Sequence, residues 1–424
     1  MAGQQLTAYL DLVNRTGSGI FSTKEEIVND AVKNTYGISP FLRGKGINEL
    51  FKGGKNITDE WFPDEGTTAV THLPGATFSW SSPNTSKYWT APWRFVMDHM
   101  SFIDQEDDLN GPEQMTGMGR FQQVKSMMFG KKQRLMTSVM NKMDNLFFAE
   151  PDYDLMEVTT SGSTATEPYS LGVFVNEYTN GQFNGAGSAG TAFTTVEGIN
   201  PTSSGNTKWK NQYATYDSSA LTATAASGTA ITGVHNSGDA IAGFDDMITR
   251  VQFIPPTSFQ EYFERPEVDR MFIATSRTGY NHFMASTRAR QSTWVWTGGG
   301  NNPNIGGLNY MGIPIHYWQG LDAATLYPNH RTLGSADNNV AEGNSGAANS
   351  NMGLGPRYYF LHPKYMLPVF HDKWYIRFRE KITPSDQPEA TIVPVSTWYN
   401  FVCRSRQRQG LLSPLANAFA AYTN

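Results

Sequence analysis

Between Gly119 and Ala149 the apolar residues Phe121, Val124, Met128, Leu135, Val139, Met143 and Leu146 mostly recur at steps of three or four, with one wider gap after 128. That period puts them on one face of a single helix. At 1.5 Å per residue the helix would be roughly 45 Å long, and Pro151 and Asp152 end it. Its central stretch, SMMFGKKQRLMTSVMNKMDNLFF, gathers methionines. Methionine is flexible and polarisable and fills irregular gaps. The stretch therefore reads as a plastic binding surface, a membrane-active segment, or a long strut whose methionines are core filler.

Shorter periodic segments flank it. Residues 22–36, STKEEIVNDAVKNTY, predict a helix with a capping box at Ser22 and Glu25, an apolar face of Ile27, Ala31 and Val32, and a stop at Gly37. Residues 38–93 carry frequent glycines, turn signals and short alternating runs such as TFSW. They predict a long two-stranded arm with too few apolar residues for a core of its own. FDDMITRVQF (244–253) reads as helix, and PEVDRMFIATSRTGYNHFMAS as strand, turn and helix. YMGIPIHYWQGL (310–321) reads as a strand. Two later strands are expected from alternation, one with Trp374, Ile376 and Phe378 on a face, the other with Tyr399, Phe401 and Cys403. The intervening stretches 158–243 and 334–355, rich in Gly, Ser, Thr and Asn, predict β-rich loops or an elaborated insertion.

Composition narrows the class. A chain of 424 residues with 39% hydrophobic, 13% aromatic and 17% charged residues is too aromatic for disorder and too poorly charged for a coiled coil. It is long enough for two or three domains, and the elements make it α+β. The net charge of -5 excludes a global polycation. Against that background the long helix is basic: Arg120, Lys125, Lys131, Lys132, Arg134 and Lys142 face only Asp144 and Glu150. The single cysteine, Cys403, permits no intrachain disulfide. The opening MAGQQLTAYLDLVNRTG lacks a signal-peptide pattern, and no run approaches the roughly 18 apolar residues of a membrane span, so a soluble intracellular protein with no membrane partner is expected.

Chemistry-bearing motifs are sparse. There is no P-loop, no GxSxG elbow and no HExxH, and TGGGNNPNIGG (297–307) reads as a glycine-asparagine turn. The eight histidines are scattered, and Asp98-His99 reads as a satisfied structural pair. The acidic run DQEDD (104–108) lacks the glycine and terminal glutamate of a calcium loop and suits the start of the long helix. Arg404 beside Cys403 would lower the thiol pKa, yet no partner base is recognisable. The chain closes its last strand with a basic cluster, Arg404, Arg406 and Arg408. No catalytic residue, cofactor or metal is expected.

The order of parts resembles the major capsid protein of tailed bacteriophages with the HK97-type fold: a short N-terminal helix, a glycine-punctuated arm, a long basic helix, a β-rich domain with insertions, then alternating strands. The resemblance covers nearly the full chain. It implies an N-terminal arm (1–37), an extended E-loop hairpin (38–93), and a P domain (94–159) with a spine helix at 119–149. An A domain (160–363) with a polar insertion (158–243) follows, and 364–424 return into the P domain. The implied function is a structural shell protein forming hexamers and pentamers of an icosahedral capsid around double-stranded DNA, located in the virion and assembled in the host cytoplasm. The basic helix residues named above would face that DNA. Arg43, Lys45, Phe51, Lys52, Lys55, Trp61 and Phe62 would make intersubunit E-loop contacts. Only about 37 residues precede the arm, so a separate scaffolding protein is expected, together with a portal protein and a decoration protein on the outer surface. Lysine–asparagine crosslinking, as in the best-known member, cannot be assigned to a particular pair here. The alternatives are an encapsulin-like compartment shell and a β-rich carbohydrate-binding protein or glycosidase.

Overall fold

A computed structural model describes residues 36–38, 41, 50–51, 53–63, 86–103, 118–149, 151, 153–157, 165–176, 195–203, 205–206, 208–216, 236–237, 240–251, 271–289, 308–322, 357–380, 382–383, 385 and 390–414. The protein is a mixed helix and sheet structure. It divides into two compact units: Met1–Asn34, Phe95–Met143 and His371–Trp398 form the first, and Thr35–Arg94, Asp144–Phe370 and Tyr399–Asn424 the second. Of the N-terminal helix expected at 22–36 only Tyr36 is among the described residues, and the acidic run and the loop at 334–355 lie outside them.

Helix α1, Met118–Phe147, realises the predicted long amphipathic element. In the first unit Leu135, Val139 and Met143 are buried at four-residue steps, while Met136 and Met140 are half-buried. Lys131 Nζ donates to the Ser101 carbonyl at 3.0 Å, tying α1 to strand β4 (Arg94–Ile103). A short strand, β12 (Arg377–Phe378), lies antiparallel to β13 (Ala390–Cys403), pairing Arg377 with Ser396 and Phe378 with Val395. The strand expected over Trp374, Ile376 and Phe378 is not formed as read: Asp372–Trp374 make a 3-10 turn, and Ile376 has φ 45°. A β-branched residue in the left-handed region breaks the two-residue period on which the alternation rested.

The second unit holds a seven-stranded sheet. Its strands are β5 (Gln212–Tyr216), β6 (Asn236–Ser237), β7 (Phe272–Thr275), β8 (Asn309–Tyr310), β9 (Ile313–Tyr317), β10 (Tyr358–Leu361) and β14 (Gly410–Pro414). They lie in the order β6-β5-β14-β10-β7-β9-β8. Strand β14, grouped by sequence with 364–424, lies parallel to β5 and antiparallel to β10. Helices α2 (Ala240–Val251) and α3 (Arg277–Ala289) match the predicted helices near 244–253 and after FIAT. Phe244, Met247, Ile248 and Val251 of α2 and Phe283 of α3 share a buried cluster with Ile273, Ile315, Tyr358, Phe360 and Leu412. Close approach needs a glycine on β14: a Cβ at Gly410 would stand 2.8 Å from Val251 Cγ2. Strand β11 (Met366–His371) pairs antiparallel with β13 from Met366↔Cys403 to Phe370↔Tyr399, with β1 (Leu50–Phe51) beyond it.

The end of α1 is fixed in this unit by Phe148. Its fully buried ring is crowded by two backbones: a Cβ on Gly320 would stand 2.7 Å from the ring Cγ, and one on Gly37 would stand 2.5 Å from Cε2. Phe147 and Trp318 pack against the ring at centroid distances of 5.0 and 5.6 Å. Asp144, expected on the polar face of the helix, is instead fully buried and accepts the Gly37 N–H at 2.8 Å.

Candidate functional site

Strands β2 (Asn56–Trp61) and β3 (Lys87–Pro92) form an antiparallel ribbon with register Asn56↔Pro92 to Trp61↔Lys87. Strand geometry sends alternate side chains to opposite faces. Ile57, Asp59 and Trp61 therefore share a face with Lys87, Trp89 and Ala91, and this face is buried or half-buried. The other face presents Asn56, Thr58, Glu60 and Tyr88 to solvent, with Phe62 following; Tyr88 is 67% and Phe62 63% exposed.

The inner face is held by matched chemistry. Trp61 meets Trp209 edge to face at 4.8 Å. Asp59 Oδ2 pairs with Arg404 Nε at 3.2 Å. Lys87 Nζ donates to the Gly205 carbonyl at 3.3 Å and to Asn206 Oδ1. Trp93 Nε1 donates to Gly54 O at 3.1 Å, closing the base of the ribbon.

Beneath the ribbon lies a two-residue turn, Glu197-Gly198, with φ 54° and 78°, bridged by Val196 and Ile199. A glycine takes this backbone freely; a glutamate there is uncommon and costs energy. The Glu197 carbonyl accepts the Thr90 N–H of β3 at 2.9 Å, and its Oε1 accepts the Cys403 N–H at 3.0 Å. Oε2 has no hydrogen-bond partner among the described residues. Burial drives this carboxyl well above the usual carboxylate range, opposed by the Cys403 N–H and the Arg406 charge.

Arg406 is fully buried, and its guanidinium donates to three carbonyls: Phe174 from Nε at 3.1 Å, Trp209 from Nη1 at 3.1 Å and Val173 from Nη2 at 3.2 Å. Burial lowers its pKa to about 10. Arg94 plays a similar part, donating to Glu167 O at 2.8 Å and Met156 O at 2.6 Å. Nearby, Tyr169 Oη donates to Glu157 Oε1 at 2.8 Å, and desolvation raises the Glu157 carboxyl.

The expected thiol activation of Cys403 is reversed: burial pushes the thiol up, with Glu197 adding to the effect and Arg406 opposing it, while the neighbouring Arg404 pairs with Asp59. The expected basic cluster is likewise dispersed. Arg404 pairs with Asp59, Arg406 is buried among carbonyls, and Arg408 lies 5.9 Å over the Tyr365 ring. His99 is exposed, with its N–H on Asp98 Oδ1 at 2.8 Å, so the pair is a local backbone contact and the imidazole is not held in a core.

Of the basic helix residues, Lys132, Arg134 and Lys142 are exposed and Lys131 is half-buried on Ser101. The side chains of Arg120 and Lys125 lie outside the described residues, as do Arg43, Lys45 and Lys52 and the side chain of Phe51. Lys55 is exposed at the ribbon base, Trp61 is half-buried on Trp209, and Phe62 is exposed. Sequence reasoning missed Glu197 and Arg406. The first had one signal, a Glu-Gly pair between β-branched residues that suits a two-residue turn; the second had none, since no local period marks a buried cation. Among the described residues no group of three or more metal-ligating side chains occurs, and no helix is long and apolar enough to cross a membrane.

No protein-family model matches the chain, and no curated protein does. Among solved structures it is similar to a chain of the cyanophage A-1(L) capsid asymmetric unit, at 12% identity and TM-score 0.45 over 93% of this chain and 97% of that one. It is also similar to a chain of the capsid of Ralstonia phage GP4, at 12% identity and TM-score 0.44 over 95% and 96%. A third is the mature capsid asymmetric unit of bacteriophage PhiM1, at 12% identity and TM-score 0.41 over 92% of each chain.

Proposed function

We propose that the chain is the shell subunit of a bacteriophage capsid with an HK97-type arrangement, assembling as hexamers and pentamers of an icosahedral shell around double-stranded DNA. In this reading 38–93 are the E-loop, α1 is the spine helix, 160–363 the A domain, and 94–159 with 364–424 the P domain. The role is structural, in the virion, with assembly in the host cytoplasm alongside a separate scaffolding protein, a portal protein and a decoration protein.

One observation carries the reading. The β2–β3 ribbon is fixed through one face by an ion pair, a tryptophan pair and backbone hydrogen bonds, while its other face leaves Phe62 and Tyr88 more than half exposed. A ribbon so firmly rooted, with two large rings left uncovered on an otherwise polar face, suits a surface that another copy covers. Covering what remains exposed of each ring contributes about 1–2 kcal/mol, and a closed shell multiplies modest contacts. Exposure of Lys132, Arg134 and Lys142 supports weak phosphate contact by the helix.

Negative-stain electron microscopy of the purified protein, alone and with its neighbouring gene products, tests the proposal. Uniform shells or six- and five-membered rings are expected, and Phe62→Asp with Tyr88→Asp should abolish them while the subunit stays folded. A monodisperse monomer under every condition would overturn it.

A further inference from the structure

The first unit carries a ladder of rings that ends in cations. Phe95 meets Trp398 edge to face at 4.5 Å, and Trp398 stacks on Trp374 at 4.8 Å with 3° between their planes. The guanidinium carbons of Arg377 and Arg379 each lie 4.9 Å from the Trp374 ring centroid. Next to Arg377, the Phe378 ring receives Lys132 Nζ of α1 at 5.2 Å. Arg377 and Arg379, two residues apart on an extended segment and both exposed, thus share the Trp374 ring, while Phe378 and Lys132 lie on the opposite side of that strand. Asp372 and Glu380 flank the segment, but no ion pair joins either to the two guanidiniums among the described residues. The bend that presents the arginines is made at Ile376, whose left-handed φ of 45° is costly for a β-branched residue.

A guanidinium held over an indole by cation–π attraction keeps its charge and N–H fork available to a tetrahedral oxyanion through paired hydrogen bonds. The Trp374 ring already has a stacking partner and two guanidiniums, so it offers no open platform for a base. Charge without a free aromatic face suits the sugar-phosphate backbone of a duplex over single-stranded nucleic acid. We propose that Arg377 and Arg379 form a sequence-independent phosphate-binding site for double-stranded DNA, with Trp374 as the positioning residue. The site rests on the shell reading for the source of its duplex. It adds a strand-borne site to the helix face.

The test measures binding of the full-length protein to a short labelled duplex by fluorescence anisotropy over a range of salt concentrations. Replacing both arginines by glutamine should reduce the magnitude of the log K against log[salt] slope by about 1.8, roughly 0.9 for each phosphate no longer neutralised. Arg377→Lys with Arg379→Lys should keep most of the slope but bind more weakly, because the charge remains and the fork is gone. Trp374→Leu should weaken binding while moving the slope by less than one phosphate would. An unchanged slope and affinity in the glutamine variant, with its melting temperature intact, would overturn the proposal. So would a loss confined to binding of polyglutamate, which would mark the patch as a site for an acidic protein segment. Microscopy of the same samples separates the two readings: wild-type shells with an unchanged slope refute only this site, whereas wild-type protein that never assembles refutes the shell.

Discussion

Phe148 sits where three distant segments meet, and Gly320→Ala probes that junction with a single methyl group. An added Cβ would lie 2.7 Å from the ring Cγ, and closer still to two other ring carbons. Carbon atoms prefer about 3.5–4.0 Å, so the ring would have to withdraw by more than about 1 Å. It has little room, because Gly37 crowds the ring from its own position and Phe147 and Trp318 pack beside it. Overpacking of this kind costs about 1–3 kcal/mol, and the upper end is expected here. Phe148→Ala should cost about 3–5 kcal/mol by leaving a cavity. In that background the new methyl has space, so the double variant should be more stable than the sum of the two losses implies, with a coupling of about 1–2 kcal/mol. Gly312→Ala is the control: it has φ +83° and nothing within 4 Å of its Cβ, so it reports backbone strain alone. Denaturant unfolding followed by tryptophan fluorescence reads all four. If Gly320→Ala unfolds with the wild type, or costs as much with Phe148 absent, the steric argument is wrong.

Two further outcomes follow from the buried charges. The Glu197 carboxyl is raised in the folded state, so its contribution to stability is full below the ordinary glutamate pKa and declines as pH rises toward the folded value. Glu197→Gln keeps an acceptor for the Cys403 N–H and cannot ionise, so the wild type should lose melting temperature relative to it as pH rises above the ordinary glutamate range; parallel curves would refute the assignment. Arg406→Met strands three carbonyls and removes a cation that acts on Glu197, at an expected cost of about 3–5 kcal/mol. Arg406→Lys should recover little of it, since an ammonium cannot reproduce the three-way fork; full recovery in a thermal melt would count against that geometry.

Much of the local structure was readable from the chain. The four-residue steps of Leu135, Val139 and Met143 gave the long helix, and the alternation through β2 and β3 matches a half-buried ribbon. Residues 240–251 and 272–289 fold as the helix and the strand-turn-helix that their periods predict. What escaped is what periodicity cannot carry. The placing of β14 between β5 and β10 joins segments about 200 and 50 residues away. Ile376 adopts a backbone that its residue type disfavours. Arg404, Arg406 and Arg408 look alike in sequence, yet one faces a carboxylate, one a ring and one a cage of carbonyls. Their sorting depends on partners from segments far away in the chain.

The ribbon root also sets a timetable. Thr90 depends on Glu197, Glu197 on Cys403, and Asp59 on Arg404, while Asn400 Nδ2 donates to Pro92 O across 308 residues of sequence. A chain made from its N-terminus therefore releases the ribbon long before the residues that seat it. Throughout most of synthesis Trp61, Trp89 and the exposed rings of Phe62 and Tyr88 wait together without their root, and non-local contacts of this length form slowly. The interval between emergence of residue 61 and of residue 404 is thus the period in which this subunit is most prone to meet the wrong neighbour.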